Sequence, residues 1–226
     1  MSLSFNPHPG PRERQLRRRY HNPLFAAERR DVTEAELRAA READERELNH
    51  FLRYFRDLVQ EAIDLKPEAE SEVILDLKAR LDKCYSHCCA LPGEKSEIQA
   101  AINKLIEVIM KAIRQGAAND PLALEKLAEE EQARQLHCQL HRFPLVADLM
   151  LPDSPIEQDE LTATLLSEPE AGLAAALQLF DQAQLARIYQ DARQLVENLS
   201  DEPPGLAEKI RLIETTLNLS NVPRSD

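Results

Sequence analysis

The sequence lacks the features of a membrane, secreted or β-rich protein. It has no tryptophan and only five glycines in 226 residues, and no run approaches the roughly 18 apolar residues of a membrane span. The N-terminal segment has no apolar core of the kind found in secretory signals, so we expect a cytoplasmic protein with free thiols or thiolate ligands. No stretch alternates apolar and polar residues long enough to indicate a strand, and the abundant Leu, Ala, Glu, Gln and Arg favour helices. The composition therefore predicts an all-α protein.

Catalytic sequence motifs are also missing. The chain has no glycine-rich phosphate loop, no Gly-x-Ser-x-Gly elbow, no His-Glu-x-x-His motif and no calcium-binding loop. One Glu-x-x-His occurs, from Glu47 to His50, but a di-iron bundle needs a second copy, which the sequence does not contain. We therefore expect a non-catalytic protein, and we interpret Glu47 and His50 as surface residues.

Charge is distributed unevenly along the chain. The net charge is −12, yet residues 1–30 contain seven arginines and two glutamates, which gives this segment +5 and leaves −17 for the remainder. The segment also holds four prolines and shows no apolar periodicity. These features predict an extended basic arm on an acidic body.

The basic arm has two interpretations. Its arginines and aromatic residues suit a groove on a protein partner, and they could also contact nucleic acid, which the acidic body would repel. Alternatively, the arm is a loose terminus that docks on the acidic body of its own chain. The arm residues predicted to contact a partner are Arg17, Arg18, Arg19, Tyr20 and Phe25.

Apolar periodicity predicts two helical lobes behind the arm. Four long helices, the first capped by Thr33 and Glu36, are expected to form a bundle-like lobe of residues 31–142. An apolar, proline-bounded connection, residues 143–153, is expected to pack against the body or against a partner. Shorter helices should then form a smaller C-terminal lobe, residues 154–219. Caps within or next to that lobe are predicted at Ser154, Ser167 and Asp181.

Two clusters of cysteine and histidine occur at helical spacing. Cys84 and Cys88 lie four residues apart on the second predicted helix, and His137 and His141 lie four residues apart on the fourth. Since successive helices joined by short loops alternate in direction, both pairs should lie at the same end of the lobe. Two thiolates and two imidazoles form a tetrahedral set for Zn²⁺, and the thiolates also suit Cu(I). Alternate ligands are His87, Cys89 and Cys138.

The same residues have simpler interpretations. Cys84 and Cys88 continue the apolar row of their helix, so they can be core residues that fill space. His137 and His141 can stabilise a helix C-terminus, where positive charge is favoured. Thiol redox sensing is a further hypothesis, because a basic neighbour such as Lys83 lowers the pKa of a thiol.

The favoured functional interpretation is a non-catalytic helical interaction or regulatory protein. It would bind a protein partner through residues 1–30 or residues 143–153, without a membrane. The alternative is a metal-binding or metal-sensing bundle that holds zinc or Cu(I) in the Cys/His cluster.

Overall fold

The computed structural model describes residues 7–22, 24–25, 32–65, 71–116, 121–199 and 203–220. These ranges contain ten α-helices and no strand, which confirms the all-α prediction. None of the helices in the described part of the chain combines the length and the apolar character that crossing a bilayer requires. The helices are α1 Pro11–His21, α2 Glu34–Asp64, α3 Ser71–Ala90, α4 Ser96–Gly116, α5 Pro121–Leu140, α6 Pro144–Leu149, α7 Leu161–Ser167, α8 Glu170–Leu177, α9 Gln182–Glu197 and α10 Leu206–Ser220.

Local capping signals position two of the helices. Thr33 Oγ1 accepts from the backbone N–H of Glu36 at 3.2 Å, and the Glu36 carboxylate accepts from the Thr33 N–H at 2.8 Å, which confirms the predicted start of α2. Asp181 forms the equivalent box at the start of α9, as predicted. The caps predicted at Ser154 and Ser167 are wrong, because Ser154 begins no helix and Ser167 is the last residue of α7. The helix expected after Ser167 is present as α8, which begins at Glu170 with Pro169 as its N-cap. Nearly every side chain of α7 is buried, so packing places this helix instead of a local cap.

The prediction of an extended arm is wrong for residues 11–21, which form helix α1. The N-cap position, Gly10, carries no side chain, and the cap comes from Asp44 on α2. Its carboxylate accepts from the backbone N–H of Arg12 at 3.3 Å and of Glu13 at 3.2 Å. A Cβ at Gly10 would lie 2.3 Å from Asp44 Cγ, so this approach requires glycine. The local signals of α1 are Pro11 at its first position and Glu13 in its first turn, and its own sequence provides no side-chain cap.

Two hydrophobic cores organise the helices. One lies among α2–α5 and includes Phe51 and Ile106. The other lies among α6–α10 and includes Leu165, together with Leu24 and Phe25 from the predicted arm. These two arm residues are therefore buried in the C-terminal core. Arm residues 1–6, 23 and 26–30 lie outside the described ranges.

The apolar segment 143–153 packs inside the chain. Its central part forms α6, on which Leu145 and Val146 have no exposed surface. Helix α6 packs against α3 and α8, and Ala147 shares a small apolar cluster with Ala90 at the end of α3. The segment thus joins the two lobes.

The end of the α2–α5 lobe that lies away from α6 is formed by the last turns of α2 and α4 and the first turns of α3 and α5. Helices α3 and α4 form a hairpin joined by residues 91–95, and this joined end of α3 meets α6. Arg134 Nη1 donates to Asn103 Oδ1 at 3.2 Å, which places the second half of α5 beside the first half of α4. Helix α5 therefore begins at the far end. We call this end the distal tip; its exposed apolar residues are Ile63, Val73, Leu75 and Leu122.

Candidate functional site

A buried carboxylate on α6 holds two arginines of α1. The Asp148 side chain is fully buried, and it accepts hydrogen bonds from Arg14 Nε at 3.2 and 3.0 Å and from Arg18 Nη1 at 3.1 Å. The two arginines are four residues apart and so lie on one face of α1. Arg14 also donates to the carbonyl of Ala90 at 2.5 Å. These charge-assisted hydrogen bonds hold helix α1 against α6 and against the C-terminus of α3.

Other polar residues of α1 contact α2 and α7. Glu13 is 1% exposed and accepts from Arg41 Nε and Nη2 at 3.1 Å each. Gln15 Nε2 donates to Glu160 Oε2 and to Thr164 Oγ1, both at 3.1 Å. Helix α1 therefore bridges the two lobes through buried polar contacts instead of projecting from them.

The arm residues that were predicted to contact a partner contact other residues of the same chain. Arg18 and Arg19 are paired with carboxylates, and Arg17 contacts a glutamate one turn earlier in α1 at 3.5 Å. Phe25 is 7% exposed in the C-terminal core, and Tyr20 is 39% exposed. The described arm residues therefore dock on the acidic body of their own chain, which is the alternative interpretation of the arm.

Cys84 and Cys88 are core residues. They are 2% and 1% exposed and share the α2–α5 core with Phe51 and Leu81. Burial raises the pKa of both thiols to about 12, so neither is ionised near neutral pH. Space filling accounts for this pair, and a metal-binding role for it remains a prediction.

His87 is engaged by a carboxylate of α2. Its Nε2 lies 2.9 Å from Glu47 Oε1, and its ring lies edge-on to Phe51 with centroids 5.4 Å apart. Glu47 also accepts from Arg12 Nη1 at 2.5 Å. The hydrogen bond from His87 is the largest influence and lowers the pKa of Glu47 to about 2. Glu47 therefore connects α1, α2 and α3. His50 is exposed, as a surface residue would be, whereas Glu47 is half-buried in these contacts.

The other predicted ligands lie around a cleft at the junction of the lobes. Cys89, Cys138 and His141 line a cavity of about 460 Å³ together with Tyr85. His141 is 5% exposed, and its ring lies edge-on to Tyr85 with centroids 6.4 Å apart. The His137 side chain lies outside the described residues. Among the side chains that are described, no group of three or more Cys, His, Asp or Glu is placed to hold a metal ion.

The same cleft carries basic side chains that sequence reasoning missed, namely Lys95 and Arg142 beside Arg14. Lys95 Nζ donates to the carbonyls of Cys89 at 2.8 Å and Leu91 at 2.6 Å, so it caps the C-terminus of α3, where positive charge is favoured. Burial lowers the pKa of Lys95. The available signal was a lysine just after a helix-ending Pro-Gly pair.

Comparison with protein-family models, with curated proteins and with solved structures gives no match to this chain. The chemistry and exposure of its own side chains are therefore the basis for assigning a function.

Proposed function

We propose that this chain is a non-catalytic helical interaction or regulatory protein that binds a protein partner at the distal tip. The observation that supports the proposal is the exposure of apolar side chains there. Ile63 is 68% exposed and Leu122 is 77% exposed, while Val73 and Leu75 are 46% and 44% exposed. Apolar side chains gathered at one end of a soluble domain are typical of protein-interaction sites.

The distribution of exposed apolar residues over the molecule favours the same lobe. In the described ranges, α2–α5 carry eight large apolar residues that are exposed, and α6–α10 carry none. A partner that covers the distal tip would remove this apolar surface from water, which is the main favourable contribution in most protein association.

The arm and residues 143–153 are less suitable as primary binding surfaces. Arg18 already binds Asp148 and Glu168, and both lie on its own chain. A partner would have to replace buried charge-assisted bonds before it gained any of its own, which opposes binding. Leu145 and Val146 are fully buried between the lobes and cannot contact a partner in this arrangement.

A charge-insertion experiment tests the proposal. Ile63→Glu combined with Leu122→Glu places two carboxylates in the distal tip, and Leu136→Glu is the matched control, since Leu136 is 57% exposed near the other end of α5. A partner captured by the wild-type chain and by the control should be missed by the double variant. With that partner purified, calorimetry should show affinity at least about 100-fold weaker for the double variant. Equal affinity of the double variant and the wild type would contradict the proposal.

The alternative proposal, a metal-binding or metal-sensing bundle, is supported by the common position of Cys89, Cys138 and His141 at one cleft and opposed by the positive charges of Lys95 and Arg142 in the same cleft. It predicts close to one equivalent of zinc or copper in protein purified without a histidine tag, because structural sites hold their metal tightly. Elemental analysis below about a tenth of an equivalent after metal supplementation would contradict it.

A further inference from the structure

The cleft between the ends of α3 and α5 holds two basic side chains, Lys95 and Arg142, that form no ion pair with a described carboxylate. We call it the basic cleft; its basic lining residues are Arg14, Lys95, His141 and Arg142. We propose that the basic cleft binds a small ligand through an oxyanion group, a phosphate or a carboxylate, held between Lys95 and Arg142.

Lys95 supplies the first of these charges, and Asp148 acts on it only at longer range, without an ion pair. Its ammonium group is half-buried, and its two hydrogen bonds go to backbone carbonyls, which carry no net charge. Across the described ranges it forms no ion pair with an aspartate or glutamate. An ammonium group has three donors, so one remains for a ligand. A half-buried cation without a counter-ion attracts an anion more strongly than an exposed one, because water screens it less.

Arg142 supplies the second. It follows directly after His141 at the end of α5, and its guanidinium is exposed. In the part of the chain that is described, it too forms no ion pair with a carboxylate. A guanidinium presents five donors in a fixed fork that matches a phosphate or a carboxylate. Arg14 differs from both, since Asp148 already neutralises it.

The remaining lining favours an anion over a metal ion. None of the described residues lining the basic cleft is acidic, although the chain has 40 aspartates and glutamates and a net charge of −12. Tyr85 and Gln99 add neutral hydrogen-bonding groups. A divalent cation would be repelled by Lys95 and Arg142, whereas an oxyanion would be attracted by both.

The size of the basic cleft indicates a small molecule. Its volume of about 460 Å³ lies within the range of ligand pockets. A neighbouring cleft of about 410 Å³ shares Arg14, Lys95 and Gln99, but its lining includes the carboxylate of Glu94, so the anion is expected in the basic cleft itself. A nucleic acid would instead meet the acidic body around this concave site.

Calorimetry on the full-length protein tests the proposal, with inorganic pyrophosphate and citrate as separate probes. Arg142→Glu is the main variant, because Arg142 is exposed and its loss leaves the fold intact. Lys104→Glu is the matched control, since Lys104 is an exposed residue of α4 outside the cleft and the change in net charge is the same. Saturable binding that weakens at least about 10-fold in Arg142→Glu and stays unchanged in Lys104→Glu supports the site. Binding of one probe without the other assigns phosphate or carboxylate as the preferred group. Absence of saturable binding of both probes, or equal weakening in the two variants, overturns the proposal.

Alkylation of Cys138 gives a second readout that needs no ligand. Cys138 lines the basic cleft and is half-buried. The rate ratio of anionic iodoacetate to neutral iodoacetamide at this thiol should fall about 3- to 10-fold in Arg142→Glu. A ratio that does not change, or that falls equally in Lys104→Glu, contradicts a cationic cleft. The inference is independent of the distal tip, so the Ile63→Glu and Leu122→Glu changes should leave anion binding unaltered.

Discussion

Replacing Asp148 with asparagine should destabilise the protein strongly. The carboxylate is fully buried and binds Arg14 and Arg18, whose side chains are 13% and 9% exposed. Asp148→Asn keeps the size of the side chain but removes its negative charge, and the new amide N–H groups face guanidinium donors. Two nearly buried cations then lose their shared counter-ion.

The magnitude follows from the burial of the three groups. Removing one partner of a buried ion pair typically destabilises by about 3–5 kcal/mol, because the remaining charge is left without compensation. Glu168 still accepts from Arg18 at 2.9 and 3.1 Å, which retains part of the interaction. We therefore expect the free energy of unfolding to fall by about 3 kcal/mol, the lower end of that range.

Urea denaturation followed by far-ultraviolet circular dichroism measures this loss, and trypsin cleavage at the arginines of α1 reports whether the helix has left the body. Asp159→Asn is the control, because Asp159 is an exposed carboxylate in the connection between α6 and α7 and the change in charge is the same. The control should differ from the wild type by less than about 0.5 kcal/mol. A triple change, Arg14→Met, Arg18→Met and Asp148→Leu, should recover part of the stability, since none of these three charges is left unpaired, while Glu168 loses its partner Arg18. Wild-type stability and wild-type trypsin resistance in Asp148→Asn would refute the reasoning.

Three further predictions concern single groups. The folded pKa of Glu47, about 2, lies below the unfolded value of about 4.3, so the stability that Glu47 contributes is present above roughly pH 4.5 and is lost as the pH falls towards 2. Glu47→Gln should therefore flatten the dependence of the free energy of unfolding on pH between about 4.5 and 2. An unchanged dependence in this range would contradict the pairing of Glu47 with His87 and Arg12. Gly10→Ala should lower the free energy of unfolding by about 1–3 kcal/mol, because its Cβ would lie 2.3 Å from Asp44 Cγ; wild-type stability in urea would mean that α1 does not approach α2 so closely. Iodoacetamide should label half-buried Cys138 at least about 10-fold faster than Cys84, which is 2% exposed with a pKa of about 12; equal labelling by peptide mass spectrometry would contradict the packed core.

The parts of the fold that local signals determine were predictable from the sequence. The Thr33–Glu36 and Asp181–Gln184 boxes mark helix starts because each cap is made within four residues of chain. Helix α1 was not predictable, because its cap is Asp44 on another helix and its arginines are neutralised by carboxylates far along the chain. Proline and arginine without apolar periodicity look the same in a free tail and in a helix held by polar contacts.

The candidate sites show the same division. The apolar row of α3 indicated that Cys84 and Cys88 face a core, and the structure places them there. The alternation of helix direction placed Cys89 and Cys138 at the same end of the lobe, as alternate ligands, but sequence spacing could not show that they line a cleft while Cys84 and Cys88 lie in the core. Lys95 was overlooked for the same reason, since its position in the cleft depends on which residues tertiary packing places around it.

Hydrogen exchange of the α1 backbone amides tests most directly whether this arginine-rich segment is a docked helix. In the full-length protein, the amides of Arg14–Arg18 should exchange at least about 100-fold more slowly than the same amides in a synthetic peptide of residues 7–22. Exchange at the peptide rate would contradict the buried arrangement around Asp148.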